Sequence, residues 1–184
     1  MKEKDIMEEN LKLRMDLQRL KKNIFIDELT DLFNHRYLNT RLKEEMKRSK
    51  RYTLFLSLVF VEIEKIINEG KVDDIKKIGE FIKCNIRDAD IISIFDKNIF
   101  ALILPETNIE GANVLSERLR EQILLFGYNK KGDKNYTTGQ RINIGITSYP
   151  TDAGGFEELI SKSLNMLKLS RESEENTICS SYTV

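Results

Sequence analysis

Few side chains in this 184-residue chain could do chemistry where they stand. His35, the only histidine, has no serine, cysteine or aspartate at a spacing that would make it a catalytic base. Cys84, expected half-buried on a helix, and Cys179 offer neither a metal-ligand spacing nor a disulfide framework. Asp73-Asp74 reads as a carboxylate pair at a helix N-terminus, which the helix dipole favours, rather than as a metal site. Glu62, Glu64 and Arg171 read as solvated or strand-end charges, because such groups are seldom fully buried. Arg87-Asp88-Ala89-Asp90 sets a guanidinium three residues from a carboxylate, and two readings are open. It is a ligand site, or it is an ion pair at a helix end, where the dipole suits Arg87. With 11 arginines and 11 aspartates, about one R-x-x-D pair is expected by chance, so only its position in a fold can give it weight.

The elements that must position these groups sit in a chain with 30 Lys and Arg against 30 Asp and Glu. Zero net charge argues against a general electrostatic grip on nucleic acid or an anionic membrane, though it leaves room for a local basic patch. No apolar run approaches the roughly 18 residues of a membrane span. MKEKDIMEEN at the start lacks the apolar region of a signal peptide. The expectation is a soluble, cytoplasmic protein with no membrane insertion and no nucleic-acid partner.

Residues 1–24 hold no proline or glycine, and Ile6, Asn10, Leu13, Leu17, Leu20 and Ile24 follow at steps of 4, 3, 4, 3 and 4. That is a heptad seam, with Asn10 as the polar residue that can fix register. It predicts a dimeric coiled-coil stalk; the alternative is one amphipathic helix packed on the domain. Hydrophobic periodicity then predicts helices over 34–51, 73–86, 109–125 and 156–169. Strands are expected over 54–63, 91–95, 99–104 and 141–149, the middle two joined by a hairpin turn at Asp96-Lys97-Asn98. Residues 172–184 read as a frayed polar tail. Helices alternating with strands and one hairpin suggest an α+β fold, a mixed sheet covered by helices.

Five segments in order carry a resemblance. Asp27-Glu28-Leu29-Thr30-Asp31-Leu32-Phe33-Asn34-His35-Arg36 is followed by the strand through Glu62-Ile63-Glu64 and by DIISIFDKNIFALILP (90–105). ANVLSERLREQI (112–123) and INIGITSYP (142–150) complete the set. Over residues 25–171 the chain resembles the bacterial GGDEF domain, the diguanylate cyclase family. The resemblance implies a nucleotidyl-cyclase-like palm with a central mixed sheet of about five strands, flanked by helices and preceded by the stalk.

The same resemblance implies lost catalysis. Family members join two GTP molecules into cyclic di-GMP, using Mg²⁺ or Mn²⁺ held by carboxylates. Aligning Phe100 with the final Phe of the signature puts Asp96, Lys97, Asn98 and Ile99 where Gly-Gly-Asp-Glu should stand. Only Glu62 keeps a carboxylate at a metal position. The path from Glu62 to the next helix is shortened, the Gly-Asp position reads Lys71-Val72, and Asn68 has lost the register of a guanine-reading Asn. The terminal helix leaves Arg171 as a phosphate holder without a completed site. No catalytic residue, metal or cofactor is expected.

One family feature is kept. Arg87-Asp88-Ala89-Asp90 falls where many members carry an inhibitory R-x-x-D that binds cyclic di-GMP, and Arg118 aligns with a further arginine of that site. The implied function is a non-catalytic receptor binding cyclic di-GMP through Arg87, Asp90 and Arg118. The alternative is a ligand-free scaffold for dimerisation through the stalk and for docking an unknown protein partner.

Overall fold

Helix α1 (His35–Tyr52) begins where Asn34 holds an extended backbone and its side chain accepts the N–H groups of Arg36 and Tyr37. It ends at Thr53, whose left-handed conformation returns its N–H to the Ser49 carbonyl. The structure is a computed structural model and describes residues 7, 9–14, 24–64, 72–129, 141–173 and 177–181. Before α1, the Asp27 carboxylate accepts from the Leu29 and Thr30 N–H groups and the Thr30 hydroxyl, and Asp31 turns the chain at φ 57°. This loop brings Phe33 against the free edge of the sheet, where its carbonyl accepts the Ile94 N–H. The conspicuous opening motif is therefore, in large part, a knot that covers an otherwise unpaired strand edge.

Five strands follow in the chain: β1 (Leu56–Glu64), β2 (Ile91–Asp96), β3 (Ile99–Pro105), β4 (Arg141–Tyr149) and β5 (Ile178–Ser180). Their order across the sheet is β2-β3-β1-β4-β5, antiparallel except for the parallel pair β4-β5. Strand β1 lies at the centre and is buried along eight of its nine residues, which is why its sequence reads as a continuous apolar run. Val59, Val61 and Ile63 point to one layer, with α2 (Val72–Cys84) and α3 (Ile109–Asn129). Leu58 and Phe60 point to the other, with α1 and α4 (Phe156–Glu172). Glu62 continues that second row.

The expected four helices and four strands are all present, with ends moved by a few residues. The tail is the exception: Ile178–Ser180 adds a fifth strand, paired with Ile144–Ile146, instead of fraying. Its pairing is parallel and only three residues long, so no local pattern announced it. Of the proposed stalk, residues 9–14 are helical and exposed, whereas Ile6, Leu17 and Leu20 lie outside the described residues, as do Asn68 and Lys71.

Helix α4 meets the sheet backbone to backbone. A Cβ on Gly145 would stand 2.3 Å from the Leu167 nitrogen and 2.5 Å from the Ser163 carbonyl oxygen. Ser163 Oγ also reaches the carbonyl of Leu58 at 3.4 Å. Gly145→Ala should therefore lower the unfolding free energy by about 1–3 kcal/mol or more, since backbone cannot step aside as a side chain can. Urea denaturation checks this, with Gly155→Ala as the control. Nothing crowds the Cβ position there, so Gly155→Ala should lose only the preference of an N-cap for glycine over alanine, ~0.5–1 kcal/mol.

Candidate functional site

The seating of α4 decides what happens at the end of β1. From Ser163 to Arg171 the helix advances about 12 Å, and from Leu58 to Glu62 the strand advances about 13 Å. Arg171 consequently arrives over Glu62. Its Nε and Nη2 donate to the two carboxylate oxygens at 2.6 and 2.8 Å, a fork-to-fork pair. Glu62 is only 7% exposed. Asn143, its direct neighbour on β4, donates from Nδ2 to Glu62 at 3.1 Å and to Glu64 at 2.8 Å. Arg141 Nη2 holds the Arg171 carbonyl at 2.7 Å. The expectation of a solvated or strand-end charge is thus overturned for Glu62, whereas Glu64 is the last residue of β1 and Arg171 stays exposed, as expected, though both are engaged by partners. Glu62 is a buried, fully engaged carboxylate, and the guanidinium expected to be left for a phosphate already has a partner.

The hairpin between β2 and β3 closes over the same end of the sheet. Asn98 donates from Nδ2 to the Ile63 carbonyl at 3.1 Å, and its own carbonyl accepts the Ile63 N–H at 3.1 Å. Ile99 pairs directly with Glu62 and is buried. The Asp96 carboxylate turns back to the Lys97 N–H at 2.7 Å. Among the described residues, no group of three or more His, Cys, Asp or Glu side chains could hold a metal ion.

Arg87, Asp90 and Arg118 meet on the other layer, beyond the end of α2. Asp90 accepts the Arg87 N–H at 2.9 Å, and the Asp90 N–H returns to the Arg87 carbonyl at 3.0 Å. The ion pair considered for these two residues is therefore replaced by a side chain closing a turn. Arg87 is left exposed. Arg118 donates from Nη2 to the Asn85 carbonyl at 2.7 Å, capping the end of α2. Burial pushes the Asp90 carboxyl above its usual range, opposed by the Arg87 N–H and by the charges of Arg87 and Arg118. One half-buried carboxylate thus lies in the field of both arginines. A hollow of about 250 Å³ opens beside Arg87 and Asp90, walled by Ile26, Phe33 and Ile92, with Lys83 at its rim. Sequence reasoning missed Lys83 and Phe33 here because they come from separate elements; only the fold joins them.

The remaining candidates are structural. His35 sets its ring edge against Phe95, 5.1 Å between centroids, and pairs through Nε2 with the Asn39 amide at 3.1 Å. It lines a larger hollow of about 520 Å³ with Leu29, Ile75, Ile94 and Phe95. Asp73 and Asp74 fall in the first turn of α2, as expected. Cys84 is exposed rather than half-buried, and Cys179 lies on β5 with its thiol pushed up by burial.

The family model described as the diguanylate cyclase GGDEF domain matches residues 24–177. The diguanylate cyclase DgcP of Pseudomonas aeruginosa is 32% identical over an alignment 147 positions long that covers 76% of this chain and 21% of that protein. The chain thus spans about a fifth of that relative's length. The coiled coil and GGDEF domain of DgcB from Caulobacter crescentus, solved with c-di-GMP, superposes with a TM-score of 0.81 at 17% identity, covering 96% of both chains. The diguanylate cyclase SiaD of Pseudomonas aeruginosa, solved with its activator SiaC, gives 0.75 at 21% identity, covering 96% of this chain and 69% of that one.

If the Glu62–Arg171 pair is the latch its geometry describes, removing one partner strands the other. Arg171→Met should cost about 2 kcal/mol, below the 3–5 kcal/mol of a wholly buried pair because the Arg171 side chain is 41% exposed. Glu62→Gln in that background should cost less than it does alone. A double-mutant cycle from urea unfolding reads the coupling directly.

Proposed function

The chain belongs to the GGDEF domain family, and from that membership we propose that it is a non-catalytic receptor that binds cyclic di-GMP through Arg87, Asp90 and Arg118. The observation that carries this reading is the convergence of the three residues. Asp90 lies in the field of both guanidinium groups at the lip of a hollow. Arg87 is exposed and offers a planar fork to a phosphate or to the guanine Hoogsteen edge. Arg118 spends one donor on the Asn85 carbonyl and keeps others for a ligand. Asp90 can accept from a guanine N–H through the oxygen not used by Arg87. At ~1.5–3 kcal/mol for each charge-assisted hydrogen bond, a handful of such contacts reaches the roughly −8 kcal/mol of micromolar binding.

The loss of cyclase activity is part of the same reading. A Mg²⁺ or Mn²⁺ ion takes several oxygen ligands, carboxylates foremost. Glu62 spends both oxygens on Arg171, Asn98 is a neutral amide sewn to Ile63, and Ile99 brings a methyl surface where an acid is expected. These residues do not fit such an ion. A second reading, a ligand-free scaffold that self-associates through residues 1–24 and docks a protein partner, draws support from Leu11 and Leu13, which are helical and 60% and 55% exposed.

Calorimetric titration with cyclic di-GMP should show micromolar binding, GTP should give none, and Arg87→Ala should lose at least tenfold in affinity with the fold intact. Absence of heat at high micromolar protein, or unchanged binding by Arg87→Ala, overturns the receptor and leaves the scaffold. The same titration against pH carries a sign. Asp90 must be ionised to accept from guanine, and its carboxyl lies above the ordinary range, so affinity should begin to fall on acidification at a pH above ~3.9. Stability should not fall with it. A raised carboxyl makes the folded state bind its proton more tightly, so acidification through that window favours folding as far as Asp90 is concerned.

A further inference from the structure

Helix α1 carries positive charge that neither the fold nor the ligand site uses. Seven of its eighteen residues are Lys or Arg and two are Glu, in a chain whose net charge is zero. Both glutamates are taken by arginines: Glu44 by Arg41, and Glu45 by Arg41 and Arg48. Lys43, Lys47 and Lys50 are exposed and have no acidic partner among the described residues. Their steps of 4 and 3 align them on one face, and Arg36, also exposed, continues the row seven residues earlier. The stripe is about 21 Å long, the span of about six extended residues.

Beside it lies a hollow of about 210 Å³, bordered by the three lysines and lined by Met46, Tyr149 and Phe156. The Lys43 ammonium stands 4.6 Å from the centre of the Phe156 ring, so the cationic row and the apolar recess are one continuous surface. We propose that this surface docks an acidic peptide segment of a partner protein, its carboxylates along the lysine row and one apolar side chain in the hollow.

Charge complementarity and shape together select this occupant. The recess is sized for one large side chain, which an extended peptide presents and a duplex or a bilayer does not. Next to Phe156 in the first turn of α4 stand Glu157 and Glu158; Lys162 neutralises Glu158 at 2.7 Å, and Glu157 leaves that side net acidic. A broad anionic surface laid across both banks would meet that acidic side, whereas a single strand following α1 need not. The stripe belongs to the layer of α1 and α4, opposite the layer of α2 that leads to Arg87, so each surface can be tested without the other.

The test is fluorescence anisotropy at low salt with a labelled seven-residue probe, Phe flanked by three Glu on each side. The whole chain should bind it with a dissociation constant of about 100 μM or tighter. Lys47→Glu with Lys50→Glu should weaken binding at least tenfold, and replacing the probe's Phe by Ala should weaken it severalfold. Circular dichroism should show the variant folded. No binding, binding indifferent to the two reversals, or equal binding of the Ala probe overturns the proposal. So does lysine-dependent capture of a DNA duplex or of phosphatidylserine vesicles in preference to the probe.

Discussion

The close approach of α4 to β4 at Gly145 is the constraint on which the rest of the arrangement depends. With any larger residue the helix would stand off the sheet, because the atoms a Cβ would meet are backbone. Once α4 is seated, the rises of helix and strand per residue deliver Arg171 to Glu62. A carboxylate buried on the sheet's central strand would otherwise have to find a cation or hold a proton. The guanidinium supplies the charge, the Asn143 amide adds a donor, and Arg141 fixes the helix end from which Arg171 projects.

The end of the sheet and the Arg87 turn are held by separate sets of side-chain contacts. The end of β1, the β2–β3 hairpin and the end of α4 are joined to one another by contacts within the chain. The Arg87 turn lies beyond α2, where Arg118 caps the preceding helix and Asp90 closes the turn. Asp90 leads directly into β2, so the turn and the hairpin share a strand.

Much of the fold was legible because burial imposes period and length. The continuous apolar run of β1 and the isoleucine row of α2 both name their faces through residue spacing alone. What was not legible depended on distance along the chain. Glu62 and Arg171 are separated by 109 residues, and nothing local distinguishes them from solvated charges. The strand at Ile178–Ser180 forms only because β4 offers an edge. Arg87 and Asp90 share one turn, but their relation there is backbone to side chain, which spacing alone does not separate from an ion pair. Cys84 lay on the expected helix yet on the side turned away from the buried row of Ile78 and Ile82.

Incubation of the protein with GTP and Mn²⁺, followed by chromatographic detection of cyclic di-GMP, tests the central claim most directly. With Glu62 held by Arg171 and the hairpin turned onto β1, no product should form, however long the incubation. Product that accumulates with time and disappears in Glu62→Ala would show that the carboxylate is free to hold a metal ion, and would contradict the account.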